Sequence, residues 1–241
     1  MRTPQSHTAR GVGTSVEGAT RENARSRFVR GRLVGAAAIA FAVSVAIENA
    51  VLAGAPAFGY PIEEVLAYYA ANRDSVAIAS GLVALYLPLL LVFVTGLHGL
   101  VERRGGAGAD WSRLALAAGA TLSAIFVLVN VLQIGLALSA SGLAEPTPEF
   151  ELVWQVHAAA FALALPTLGT TFIGAALAAH ASGLTPAWQR LLGLAGGSLL
   201  LAAGLGNLAI ADGSPLLFVG LLGFAAWLIW LLATGLRLVR S

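Results

Sequence analysis

The chain has 241 residues, of which 58% are hydrophobic and only 11% charged, and its net charge is +2. Such a small share of polar residues cannot cover the hydrophobic residues of a chain this size in water. The composition therefore excludes an ordinary soluble globule and indicates that lipid is the solvent. The small net charge, without basic runs interleaved with aromatics, predicts no nucleic-acid partner, and the absence of cysteine excludes disulfides and thiolate metal sites.

The first 30 residues are rich in Arg, Ser, Thr and Gly and have no apolar periodicity. Such a segment cannot bury enough surface to offset the entropy of ordering, so we predict a disordered, Arg-rich cytoplasmic tail over residues 1–30. A cleaved signal peptide, with Ala53-Gly54-Ala55 as the small-residue site, is the less favoured alternative. The apolar stretch before that site is too long and contains Glu48.

Long apolar runs occupy most of the remaining chain, residues 31–241. Runs of about 20 apolar residues match the thickness of a hydrocarbon core, and a β-barrel would need shorter segments of alternating polarity. We therefore predict an all-α polytopic membrane protein, a bundle of six transmembrane helices, with spans at about 32–54, 75–100, 113–139, 152–180, 189–210 and 215–236. Between the first two, residues 61–72 predict a short amphipathic helix on the outer face, because proline and two acids open the segment.

The basic residues predict the orientation of these spans. All 14 are arginine, and with the N-terminus inside only Arg73 is extracellular, whereas the outer loops collect acidic residues. By the positive-inside rule both termini are cytoplasmic in a plasma (inner) membrane. Trp111, Trp154 and Trp188 each open a predicted span, where indole rings favour the headgroup level. The lipid bilayer is thus the predicted partner, and a homo-oligomer or a membrane protein partner is left open.

Three segments carry a resemblance to known sequences. They are Val65-Leu66-Ala67-Tyr68-Tyr69-Ala70-Ala71-Asn72-Arg73 entering the second span, Gly96-Leu97-His98 ending it, and Trp188-Gln189-Arg190-Leu191-Leu192-Gly193 opening the fifth. The chain resembles uncharacterised six-span actinobacterial membrane proteins that are grouped as domains of unknown function. This resemblance implies an architecture and no activity. The Ala and Gly excess and the absence of lysine also suggest a GC-rich actinobacterial genome.

Glu48 is the one acidic residue within a predicted span. An ionised carboxylate in lipid is unfavourable by roughly 2.5 kcal/mol or more, so we expect Glu48 to face the bundle interior. When alternate spans run in opposite directions, other polar residues fall at a similar depth in the outer half. We therefore predict an intramembrane polar cluster of Glu48, Asn49, Asn130, Gln133, His157 and Asn207, with Gln155 at the same depth.

Two interpretations of this cluster lead to different functions. In the favoured one the polar groups make interhelical hydrogen bonds that specify packing, each worth about 0.6 kcal/mol, in a non-enzymatic structural, partner-binding or regulatory membrane protein. In the alternative, Glu48 is a proton or cation site with His157 as its partner, because imidazole titrates near neutral pH, and the protein is a small transporter or proton-linked carrier.

No catalytic residue, cofactor site or metal site is predicted. His98 and His180 lie near the inner ends of two spans, where a pair of histidines could ligate a haem axially, but no Gly-rich haem bed or second pair accompanies them. Interfacial polar residues are the simpler interpretation. No nucleophile stands beside a base at helical spacing, and the motifs of soluble enzymes are absent, so an enzyme is the less favoured class.

Overall fold

A computed structural model describes the backbone from Gly13 to Arg240 and the side chains of residues 31–240. Eight helices make up this part of the chain: α1 (Gly13–Val51), α2 (Ile62–Ala71), α3 (Arg73–Arg103), α4 (Ala109–Ala140), α5 (Pro148–Ala181), α6 (Ala187–Leu205), α7 (Asn207–Ala211) and α8 (Leu217–Arg240). The all-helical fold class is confirmed for the described residues. The predicted tail falls partly outside them, at residues 1–12, and from Gly13 onward the backbone belongs to α1. The disorder of the tail stays a prediction.

Five of these helices are long and apolar enough to cross a membrane: the part of α1 from Gly31 to Val51, then α3, α4, α5 and α8. The protein is therefore a multi-pass membrane protein. The predicted fifth span is not among the five. It is divided at Gly206 into the 19-residue α6 and the 5-residue α7, and α6 opens with the polar pair Gln189 and Arg190. The length and composition of the helices therefore do not establish the predicted count of six spans.

The six longer helices form a closed ring in which each contacts the next: α1, α3, α4, α5, α6, α8 and again α1. Neighbours run antiparallel. Near the start of its described part, α1 meets the ends of α3 and α8, since Gly96 lies against Val34 and Gly235 lies against Gly35. Likewise, Gly193, early in α6, meets Ala176, late in α5. The first and last long helices of the chain close the ring.

Glycine lets the ring helices approach to backbone contact. A Cβ built on Gly169 of α5 would lie 2.7 Å from the carbonyl oxygen of Gly197 in α6. A Cβ on Gly223 of α8 would lie 2.5 Å from the carbonyl oxygen of Gly196, also in α6. Small residues at such crossings replace the hydrophobic driving force that lipid cannot supply. These contacts fix α6 between α5 and α8.

The loops gather at the two ends of the ring, which we name after the predicted topology. At the outer end the α1–α2 loop touches the α7–α8 loop, because Gly59 and Gly213, both with positive φ, lie against each other. At the inner end the Arg104 guanidinium donates to the carbonyl oxygens of Ser182 and Gly183, at 3.4 and 3.2 Å. The predicted outer helix is present as α2, which packs across α4 and α3.

Candidate functional site: a polar cavity inside the helix ring

A cavity of about 230 Å³ lies inside the ring. Side chains of α1, α3, α4, α5 and α8 line it, together with residues of the α1–α2 loop and one residue of α2. An engineered apolar cavity of about 150 Å³ is large enough to hold benzene, so this one has room for a ring or a short chain with a polar group. The cavity is thus of ligand size and lies among the helices that cross the membrane.

The outer half of the cavity is polar. Five of the six residues predicted as an intramembrane cluster line it: Glu48, Asn49, Asn130, Gln133 and His157. They come from α1, α4 and α5, and α3 adds Tyr86, whose hydroxyl lies near the Glu48 carboxylate. Among the described residues of this lining, Glu48 carries the one carboxylate and none is an arginine. The site therefore presents a single acidic group among neutral polar and aromatic ones.

The predicted polar residues do not hydrogen bond to one another within the described part of the chain. Asn49 donates from Nδ2 to the carbonyl oxygen of Val45 in its own helix, at 2.8 Å. Asn130 Oδ1 and His157 Nδ1 are buried and have no partner among the described side and main chains. A buried polar atom without a partner costs about 1–3 kcal/mol, so these atoms are suited to accept or donate a bond to something within the cavity.

A group of aromatic rings lies at the outer end of the cavity. The Phe58 ring, from the α1–α2 loop, lies 5.4 Å from the rings of both Trp154 and Phe161 and 6.0 Å from His157. The imidazole of His157 stacks on Trp154 with ring centroids 5.4 Å apart. Tyr69 of α2, which is 3% exposed, packs against Trp154 from the other side. Burial raises the pKa of Tyr69 above that of an exposed tyrosine.

The inner half of the cavity is apolar and ends on Trp227 of α8. Trp227 stacks on Trp230 at 5.6 Å, and Phe93 and Phe172 meet both indoles edge to face. Trp227 is fully buried, and its Nε1 donor has no partner among the described atoms. The cavity therefore has a polar outer part, an apolar inner part and one unused donor on its floor.

The remaining polar residues named from the sequence lie elsewhere. Asn207 opens α7 and is not among the residues that line the cavity. Gln155 faces outward and donates to Glu151 at 3.2 Å. His98 Nδ1 lies 2.8 Å from Ser112 Oγ, and His180 Nδ1 lies 3.2 Å from the carbonyl oxygen of Thr185. Each histidine thus has its own protein partner at the inner end of the ring.

Three cavity residues were not singled out from the sequence as site residues. Tyr86 sits within a predicted span, and its hydroxyl was the available signal for a second polar group on that helix. Trp227 lies too deep in its predicted span for the interfacial belt, which fits its place at the cavity floor. Phe58 lies in a loop, and no sequence pattern places a loop side chain over the centre of a helix ring.

No family model, curated protein or solved structure matches the chain. The resemblance to six-span actinobacterial membrane proteins stays a prediction.

Proposed function

We propose that the protein binds a small, partly polar molecule in the cavity inside its helix ring and acts as a carrier or sensor of that molecule in the membrane. One observation carries this proposal: the polar side chains of the cluster face the cavity and do not hydrogen bond to one another. Groups retained to join helices would be bonded across helices, yet Asn130 Oδ1 and His157 Nδ1 have no partner among the described atoms. Convergent polar groups within a largely apolar cavity are typical of ligand sites.

The alternative, in which the cluster only specifies packing, has less support. Elsewhere in the bundle an interhelical bond of that kind does occur, since Gln189 of α6 donates to Thr234 of α8 at 3.1 Å and both side chains are almost completely buried. Glu48 interacts across helices with Tyr86, and that pair lines the cavity. Packing therefore accounts for the polar residues at the inner end better than for those at the outer end.

The proposed topology has six spans with both termini in the cytoplasm. The combined segment α6–α7 supports this, because it begins beside α8 at the inner end, where Gln189 meets Thr234, and leads into the outer loop at Gly213. An even number of crossings also agrees with the excess of arginine at both ends of the chain. The topology can be tested because the wild type has no cysteine. Single cysteines introduced at Gly54 and Gly105 should react with a membrane-impermeant thiol label from opposite sides of the membrane.

The binding proposal can be tested by thermal unfolding in lipid nanodiscs with decylamine, decanol and decanoate as probes. A ligand at about 100 times its Kd stabilises the folded state by about 2.7 kcal/mol. We expect at least one probe to raise the unfolding midpoint of the wild type and to lose this effect in Asn130→Leu. Val131→Leu, the next residue of α4 and 57% exposed on the lipid side, is the matched control and should behave as wild type. Equal shifts in all three proteins, or none, would contradict the proposal.

A further inference from the structure

The seam between α1 and α8, where the ring closes, is tight at the inner end. There Gly35 approaches Gly235 so closely that a Cβ on Gly35 would lie 2.6 Å from the carbonyl oxygen of Gly235. A Cβ on Gly235 would in turn lie 2.7 Å from Ile39 and 3.4 Å from Ala38. These contacts identify the face of α1 that is turned toward α8. The same face can be followed along α1 at helical spacing of three and four residues.

Burial along this face of α1 stops halfway. Its inner residues Gly35, Ala38 and Ala42 are buried, whereas the next two on the same face, Ala46 and Asn49, are exposed. The facing stripe of α8 shows the same trend. Gly235 and Leu231 are buried, Leu228 and Phe224 are half-buried, and Leu221 is 42% exposed. Two helices that remained in contact would bury both stripes to their ends, so α1 and α8 diverge in the outer half.

The gap between the diverging helices reaches the cavity. Asn49 and Leu221 are the exposed members of the two stripes that also line it. In a membrane this gap faces the lipid of the outer leaflet, because Ala46 and Val43 beside it are exposed on apolar helix surface. The outer loops, in contrast, cover the cavity from the aqueous side through Phe58. The open route therefore leads sideways into lipid.

The residues that line the cavity also limit the chemistry of a ligand that could bind there. Among the described residues that line the cavity, Glu48 is the one acidic group and none is an arginine, and the chain has no lysine, so a negatively charged head group would meet neither of these cations there. Tyr86, Trp154 and Phe58 contribute aromatic surface near the polar end, which attracts cations. A volume of about 230 Å³ holds a head group and the start of a chain, while the rest of the chain could extend through the seam.

We propose that the cavity binds a single-chain amphiphile with a cationic amine head group, which enters sideways from the outer leaflet between α1 and α8. The amine lies beside Glu48, and the tail follows the gap at Asn49 and Leu221. This inference rests on the proposed function, since it needs the cavity to be a binding site, and it adds both the class of ligand and the direction of entry.

The test uses ω-bromohexylamine, ω-bromohexanol and ω-bromohexanoate, whose chains are short enough to keep the bromine within the cavity, where it quenches the fluorescence of Trp154 and Trp227 in the wall. At equilibrium in nanodiscs we expect the amine to bind at least tenfold more tightly than the alcohol or the carboxylate, and Glu48→Gln to remove that preference. An alcohol or carboxylate that binds as tightly as the amine in the wild type, with loss of binding in Asn130→Leu, would overturn the amine assignment and leave the binding site intact. Quenching that is unaffected by Asn130→Leu would instead contradict the proposed function itself.

The direction of entry is tested by the rate of quenching. Because the chain has no cysteine, Ala46→Cys can be labelled uniquely with N-benzylmaleimide to place a bulky group in the seam. Leu33→Cys, on the opposite side of the same helix and 60% exposed, carries the same label as the matched control. We expect the Ala46 label to slow binding of the amine at least tenfold and the Leu33 label to leave it unchanged. A label on Ala57→Cys in the outer loop that slows binding, with no effect at Ala46, would establish entry from water and overturn the lateral route.

Discussion

Replacement of Gly169 by alanine should push α5 and α6 apart. The added Cβ would lie 2.7 Å from the carbonyl oxygen of Gly197 and 3.1 Å from the Leu200 Cβ, where ordinary contact begins at 3.4 Å. A backbone carbonyl cannot rotate away, so the helices must separate by several tenths of an ångström along this crossing. Over-packing of this kind typically costs about 1–3 kcal/mol, and alanine regains about 0.5–1 kcal/mol of helix propensity.

The net expectation for Gly169→Ala is a loss of about 1–2 kcal/mol, measured as a lower midpoint of thermal unfolding in nanodiscs. Gly135→Ala in α4 is the matched control, because nothing lies within 4 Å of its added Cβ. That variant should be neutral or slightly stabilising through propensity alone. If both variants unfold at the same temperature, the close contact between α5 and α6 does not exist in the membrane, and the place of α6 in the ring is wrong.

Three further predictions concern other parts of the bundle. Gln189→Leu should lower the free energy of unfolding by about 1 kcal/mol, because the fully buried Thr234 hydroxyl loses its partner. A thermal midpoint equal to that of the wild type would show that the bond is not formed. Since burial raises the pKa of Tyr69, the folded state holds this proton more tightly than the unfolded state, so the stabilisation is complete below about pH 10 and is lost above it. Unfolding midpoints of wild type and Tyr69→Phe between pH 8 and about pH 11 should therefore diverge, with the steeper fall in the wild type; parallel curves would contradict the burial of Tyr69. Phe58→Ala should increase the access of aqueous acrylamide to Trp154 fluorescence, because the ring that covers that indole is removed, and unchanged quenching would mean that Phe58 is not a cover.

The sequence was sufficient to predict the helices because the membrane limits the choices. Apolar runs of span length and their arginine-rich flanks identify where helices lie, and α2 followed from Pro61 and the acids Glu63 and Glu64. The break at Gly206 did not follow from the sequence. Near the break, Gly204 lies against Pro166 of the neighbouring helix α5, a contact that residue spacing within one segment does not contain.

The depth of each residue along its helix predicted much of the candidate site. The rotation of each helix about its own axis could not be predicted. Glu48, Asn130 and His157 were placed at one level by counting residues from the ends of antiparallel spans, and the structure turns all three toward one volume. Gln155 lies at the same level but faces outward, since it is on the opposite side of α5 from the cavity. A list of depths cannot separate these cases, because the rotation of each helix is set by its neighbours.

We propose that the outer polar cluster is retained for a ligand, whereas the inner polar pair is retained for packing. The most direct measurement compares the thermal unfolding of Glu48→Leu and Gln189→Leu with the wild type, in nanodiscs and without any ligand. Polar groups kept for activity are commonly a stability liability, so we predict an unchanged or higher midpoint for Glu48→Leu beside a clearly lower one for Gln189→Leu. A midpoint for Glu48→Leu that falls as far as that of Gln189→Leu would mean that Glu48 holds the helices together, and would contradict the account.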